Sequence, residues 1–360
     1  MVTHERVVLE NGVRVLTSVI PHTHSVSMAV IIGAGSRYES DELAGVSHFL
    51  EHLPFKGTKL WPTAQEVSEA VEGVGGILNA STDREMTVYW CKVPSTHFQK
   101  SLGLLTDMVL HPILDPAEIE KERLVVLEEL RMSKDHPNYR ADILIDDALW
   151  PNQPMGRDVG GSEESVTALT LQQITSYKNH QYNPANTVVT VAGNISTDEV
   201  VSNLEQKFRD WKPSDSLPML GVQKNDSASK LRVERRKTEQ AHVSIGLPSI
   251  DINHPQRYAL TLMNVILGEG MSSRLFLELR ENRGLVYDIH SSVSYFRDCG
   301  SLVTYCGVEP KNCPQAIEVI LDQLALLKEG VPENWGNPGA EIPAKVKTKL
   351  SILFTPILCG

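Results

Sequence analysis

His48 and His52 stand four residues apart, with Glu51 between them. Residues four apart lie about 40° apart around an α-helix and about 6 Å along it, so a helix here turns both imidazoles to one side. That is the pairing a tetrahedral zinc takes from two histidines on one helix. Glu51 falls on the same side and can accept a proton from a water on the metal without being a ligand itself. Five residues alone describe an amphipathic helix with two histidines equally well. The deciding residues lie farther on. Glu122 and Glu129 are seven apart, which leaves them about 20° from eclipsed on a helix. Ile119, Val126 and Leu130 share that stripe and mark it as a buried face, where two carboxylates need a cation or a metal. Glu128, about 120° from Glu122, reads as a solvated charge. We therefore expect His48, His52 and Glu129 to hold one Zn2+ per chain, with Glu51 as general base. Glu122 has two readings of equal weight: a carboxylate orienting one histidine, or a salt bridge to a lysine or arginine.

The elements that must position these residues can be read from periodicity. Residues 6–20 and 26–32 read as extended, with a turn at Asn11-Gly12, and 41–55 as a helix carrying the His-x-x-Glu-His segment. A helix near 63–72, strands at 76–82 and 85–93 and a helix at 95–110 follow. Pro116 opens a long helix that holds Glu122 and Glu129. Residues 187–192 read as a buried strand and 198–211 as a helix. Residues 213–229, rich in Ser, Asp and Pro, form a linker. Beyond it the pattern restarts: strands at 231–236 and 241–247, helices near 255–267 and 272–281, strands at 285–296 and 301–308, and a helix at 314–328. The repetition implies an internal duplication. The expected fold is α+β, with two homologous domains, each a mostly antiparallel sheet flanked by helices. Domain 1 spans 1–212 and domain 2 spans 230–360, the latter shortened and atypical from about 331.

Composition sets limits on partners. A chain of 360 residues with net charge −11 is acidic, which argues against nucleic acid or an anionic membrane as partner. A basic peptide is compatible with it. Five scattered cysteines without a CxxC pair point to a reducing compartment. With no signal-like or transit-like start and no run of about 18 apolar residues, the expected location is a bacterial-type cytoplasm.

The inverted motif His48-x-x-Glu51-His52, followed after 76 residues by Glu129, resembles the pitrilysin/insulinase peptidases, the inverzincins. The likeness extends to Gly45-Val46-Ser47, Phe55-Lys56-Gly57-Thr58, Gly76-Ile77-Leu78-Asn79-Ala80-Ser81-Thr82 and Glu120-Lys121-Glu122-Arg123. It is greatest to the short-chain branch that holds the mitochondrial processing peptidase β subunits and their bacterial relatives. The resemblance implies a substrate of peptides or unfolded protein segments, and a homodimer or a heterodimer with a homologous chain. It also implies that Asn79 and Ala80 bind substrate backbone by strand addition, and that Arg280 and Tyr287 of the second domain bind the substrate carbonyl. Pro54, one residue past Leu53, and the tail from Val331 depart from the family pattern.

Two functions follow as expectations. The first is a zinc-dependent endopeptidase. The second is a non-catalytic structural or partner subunit of a pitrilysin-like heterodimer or core-subunit complex. The intact ligand set favours the first.

Overall fold

The computed structural model describes residues 3–223 and 231–329. The tail from Val331 and the end of the linker lie outside them. In chain order the elements are β1 (Thr3–Val8), β2 (Arg14–Val19), β3 (Ser25–Ile32), α1 (Val46–His52), α2 (Ala64–Glu72), β4 (Ile77–Thr82) and β5 (Thr87–Pro94). Next come α3 (Phe98–Leu110), α4 (Pro116–Asp135), α5 (Pro137–Leu149), α6 (Glu163–Ala168), α7 (Leu171–Gln181), β6 (Thr187–Gly193) and α8 (Thr197–Phe208). After residues without regular structure follow β7 (Ala241–Ser249), α9 (Arg257–Gly268), a π-helical turn (Phe276–Asn282), β8 (Val286–Tyr295), β9 (Gly300–Val308) and α10 (Cys313–Glu329). Among these residues no helix is long and apolar enough to cross a membrane.

The chain divides into two compact units. The first comprises residues 1–133 and 157–220, and the second residues 134–156 and 221–360. In the first, six strands lie in the order β1-β2-β6-β3-β5-β4, antiparallel except for the β2–β6 pair. Every second residue of β3 (Val26, Met28, Val30, Ile32) is buried, as are Tyr89, Cys91 and Val93 of β5. Against this face pack Phe49 and Leu50 of α1, Leu102 and Leu105 of α3, and Val126 and Leu130 of α4, in one continuous core. Each such side chain contributes roughly 1.5–3 kcal/mol by leaving water. The site's helices therefore rest on a sheet whose apolar face is filled.

The second unit holds a three-stranded antiparallel sheet in the order β7-β9-β8. This repeats the β3-β5-β4 portion of the first sheet, with helix between the first and second strands and another after the third. The duplication expected from sequence is thus visible in the topology, and among the described residues the second copy is the shorter. Residues 231–236, expected as a strand, carry no regular structure. Their alternation buries nothing: Leu231 and Val233 are 78% and 70% exposed. Ion pairs of Arg232 with Asp147 and of Glu234 with Arg140 hold the segment instead. Residues 134–156 belong with this unit because α5 packs on β7, where Gly246 leaves room for Ile145 and Leu149.

Candidate metal centre

The expected helix over 41–55 is broken twice, and both breaks serve the site. A short 3-10 turn at Asp41–Leu43 ends before α1, and Gly45 takes a left-handed conformation (φ 90°) at the helix N-cap. A Cβ there would lie 2.4 Å from the Gly160 carbonyl oxygen, so only glycine fits. The first N–H groups of α1 find their acceptor in Glu39, which is fully buried and takes hydrogen bonds from the N–H groups of Gly45 and Ser47, each at 2.8 Å. Burial pushes the Glu39 carboxyl above its usual range, and these hydrogen bonds pull against that shift. At the other end Pro54 turns the chain into a 3-10 helix, Leu53–Lys56, so α1 stops at His52 with both imidazoles still on it.

Opposite α1 lies α4, capped at its start by Asp115, whose Oδ1 accepts from the N–H groups of Ala117 and Glu118. Buried Arg123 fixes α4 by donating to the Leu169 carbonyl at 2.8 Å and to that of Val166. Glu122 and Glu129 then face the histidines. His48 Nε2 and His52 Nε2 are 3.3 Å apart, and lie 3.8 and 3.7 Å from Glu129 Oε1 and Oε2 respectively. One ligand atom from each of the three residues lies within 4.8 Å of the others. Zinc bonds of about 2.0–2.1 Å in a tetrahedron place ligand atoms roughly 3.3 Å apart. The two histidine nitrogens meet that spacing, the Glu129 oxygens stand somewhat wider, and the donor types are those zinc takes. Glu129 is 41% exposed at its side chain, less buried than its stripe suggests, while Glu128 stands in solvent beside Arg131.

Glu122 is buried and touches both a histidine and a lysine. Its Oε1 accepts from His52 Nδ1 at 2.9 Å, and its Oε2 pairs with the Lys56 ammonium. Burial opposes ionisation of Glu122, but the hydrogen bonds and charges of His52 and Lys56 hold its carboxyl below the usual range. For His52, burial works against the charged ring. The hydrogen bond to Glu122 and the carboxylates of Glu122, Glu129 and Glu51 outweigh it and raise its pKa. His48 shifts down through burial and the neighbouring His52. Glu51 shifts up, chiefly through burial, with the Thr82 hydroxyl pulling it back. Glu51 Oε2 and His48 Nδ1 are buried without a hydrogen-bond partner among the described residues.

Asn79 and Ala80 lie on β4, the edge strand of the first sheet. Ala80 turns toward the core, whereas exposed Asn79 folds its Oδ1 back to accept from the Ala80 N–H at 2.8 Å. Arg280 and Tyr287 belong to the second unit and meet there: the guanidinium carbon lies 5.0 Å from the Tyr287 ring centroid, and the tyrosine is 75% exposed. Lys56, Thr82 and Glu39 were not singled out from sequence. For Lys56 the signal was present: it extends His48 and His52 as the third member of an i, i+4, i+8 stripe.

Residues 14–163 match the family model described as Insulinase (Peptidase family M16), and residues 168–334 match that described as Peptidase M16 inactive domain. The uncharacterized zinc protease YmxG of Bacillus subtilis is 36% identical over 324 residues, covering 90% of this chain and 78% of its own. The uncharacterized zinc protease Rv2782c of Mycobacterium tuberculosis is 36% identical over 336 residues, covering 91% and 76%. Among solved structures, a protease from Helicobacter pylori superposes with a TM-score of 0.86 at 27% identity, over 98% of this chain and 84% of that one. A peptidase M16 inactive domain from Pseudomonas fluorescens shares the fold, with a TM-score of 0.82 at 17% identity over 98% of this chain and 88% of its own. The chain therefore belongs to peptidase family M16, the insulinase family.

Proposed function

We propose that this protein is a zinc-dependent endopeptidase acting on peptides or unfolded protein segments. The observation that carries the reading is the convergence of His48, His52 and Glu129 to within 4.8 Å of one another, beside a buried Glu51 oxygen that no group among the described residues satisfies. His48, His52 and Glu129 would hold zinc, which when bound would supply the Lewis acidity that activates water for attack. Glu51 takes the proton of the attacking water and returns it to the leaving amine. Burial, by raising the Glu51 pKa, suits it to both tasks. Glu122 holds the His52 ring through Nδ1. Along the β4 edge, a substrate strand pairs with the backbone around Asn79 and Ala80, with main-chain hydrogen bonds giving affinity. Arg280 and Tyr287 serve the developing oxyanion, in a dimer whose copies complete each other's sites. The residue limits proposed for the two functional halves are 1–212 and 230–360.

Purified protein is expected to contain one zinc per chain and to cleave members of a peptide library. Glu51→Gln is expected to abolish cleavage while zinc stays bound. No zinc, together with no cleavage of any peptide, sinks the reading. Zinc without cleavage favours the second reading, a non-catalytic partner subunit, to which the inactive-domain match over residues 168–334 lends support.

A further inference from the structure

We infer that Lys56 is a positioning residue for the metal centre, acting through Glu122 to lock the His52 ring; the inference rests on the zinc reading above. Three side chains, His48, His52 and Lys56, follow one another at four-residue intervals through α1 and the 3-10 turn after it. They face two carboxylates seven residues apart on α4. The pairing is ordered along both elements. Glu129 lies against His48 and His52, and Glu122 lies against His52 and Lys56.

The Glu122 side chain is only 5% exposed, and each of its oxygens has one partner in this cluster, Oε1 the His52 Nδ1 and Oε2 the Lys56 ammonium. A buried carboxylate held at one oxygen can swing about its last torsion, whereas one held at both cannot. With Lys56 in place, Oε1 stays in the plane where it receives the ring N–H, and Nε2 stays aimed at the metal position.

The backbone delivers the ammonium without leaving it to chance. Immediately after Lys56, Gly57 takes a positive φ of 148° where a Cβ would meet the Pro62 carbonyl oxygen at 2.4 Å. The Ile113 N–H donates to the Gly57 carbonyl at 2.9 Å, and the Thr58 N–H to the Trp61 carbonyl at 2.7 Å. The lysine side chain itself is 29% exposed, so it approaches a buried partner from the rim of the site. A surface ion pair has two exposed partners, and this one does not.

The test is zinc affinity, measured by chelator competition at fixed pH on the full chain, for wild type, Lys56→Met, Lys56→Arg, Glu122→Gln and the double variant Lys56→Met/Glu122→Gln. Lys56→Met is expected to weaken zinc about 10–100-fold, the range seen when an outer partner of a metal ligand is lost. Lys56→Arg is expected to recover most of that loss. The double variant is expected to bind no more weakly than Glu122→Gln alone, because the lysine acts through that carboxylate. Lys56→Gln, which keeps a donor without the charge, replaces Lys56→Met if the latter misfolds, and the same weakening is expected. Unchanged affinity in the uncharged variants, no recovery by arginine, or additive losses in the double variant overturns the inference and leaves the zinc reading standing. A wild-type chain that binds no zinc overturns both.

Discussion

Glu122 and Glu129 share one helical stripe but do different work. Glu122 is enclosed and pairs with two side chains, whereas Glu129 is 41% exposed and leans on the histidine pair. In metal-free protein, Glu122→Ala is expected to cost about 1–3 kcal/mol, because it strips the His52 ring and the Lys56 ammonium of their shared acceptor. Glu129→Ala is expected to stay within about 0.5 kcal/mol of wild type. Denaturant unfolding of the two apo variants checks both, and equal destabilisation contradicts the division of labour. Under the proposed zinc reading the order for zinc affinity reverses, since Glu129→Ala would remove a ligand and Glu122→Ala a support. Helix arithmetic was enough to place these carboxylates on one side of α4, and the four-residue spacing enough to pair His48 with His52. Degree of burial was not legible, because it depends on what packs above each position rather than on the helix itself. Lys56 continues the four-residue spacing of His48 and His52, but that spacing does not name its partner, which lies 66 residues later.

Among elements, α1 shows how a short helix is made accurate. Its seven residues cannot rely on propensity, and isolated helices of that length do not persist in water. It is held by Glu39 at its first N–H groups, by a 2.7 Å hydrogen bond between the Ser47 and Tyr177 hydroxyls, and by Phe49 and Leu50 in the core. Gly45→Ala attacks this arrangement at its start. The left-handed backbone costs a residue with a Cβ about 1–2 kcal/mol, and the approach to Gly160 adds to it. The variant is expected to melt several degrees lower and to bind zinc more weakly. A variant with unchanged melting and unchanged affinity removes the link between this cap and the metal centre. Strands β3, β5 and β6 were readable because their alternation or apolar run matches real burial. The same alternation at 231–236 misled, since a period of two shows only that a face is available and not that anything covers it. The break at Gly45 was also invisible, as a single helical periodicity runs through the whole of 41–55.

At the scale of the whole molecule, the repeated strand order β7-β9-β8 makes the second unit a partial echo of the first, as the duplicated pattern in the sequence led us to expect. The discontinuity of the units was not legible. The helical periodicity of α5 says nothing about which sheet receives it, and the chain leaves the first unit at residue 133 only to return at 157. The proposed sharing of sites between copies has a direct readout. Glu51→Gln and Arg280→Ala chains, each inactive alone, are expected to regain up to about a quarter of wild-type cleavage when mixed in equal amounts. A mixture as inactive as its components rules the arrangement out. One feature of the first sheet bears on how such a chain comes into being. The parallel β2–β6 pair joins strands made about 170 residues apart. At ~5–20 residues per second a ribosome leaves β2 waiting roughly 8–35 s for its neighbour, with that edge open to other chains and much of the second unit still unmade. Until Thr187–Gly193 emerges, the nascent protein carries both histidines and both carboxylates of the site but not the strand that closes the sheet beneath them.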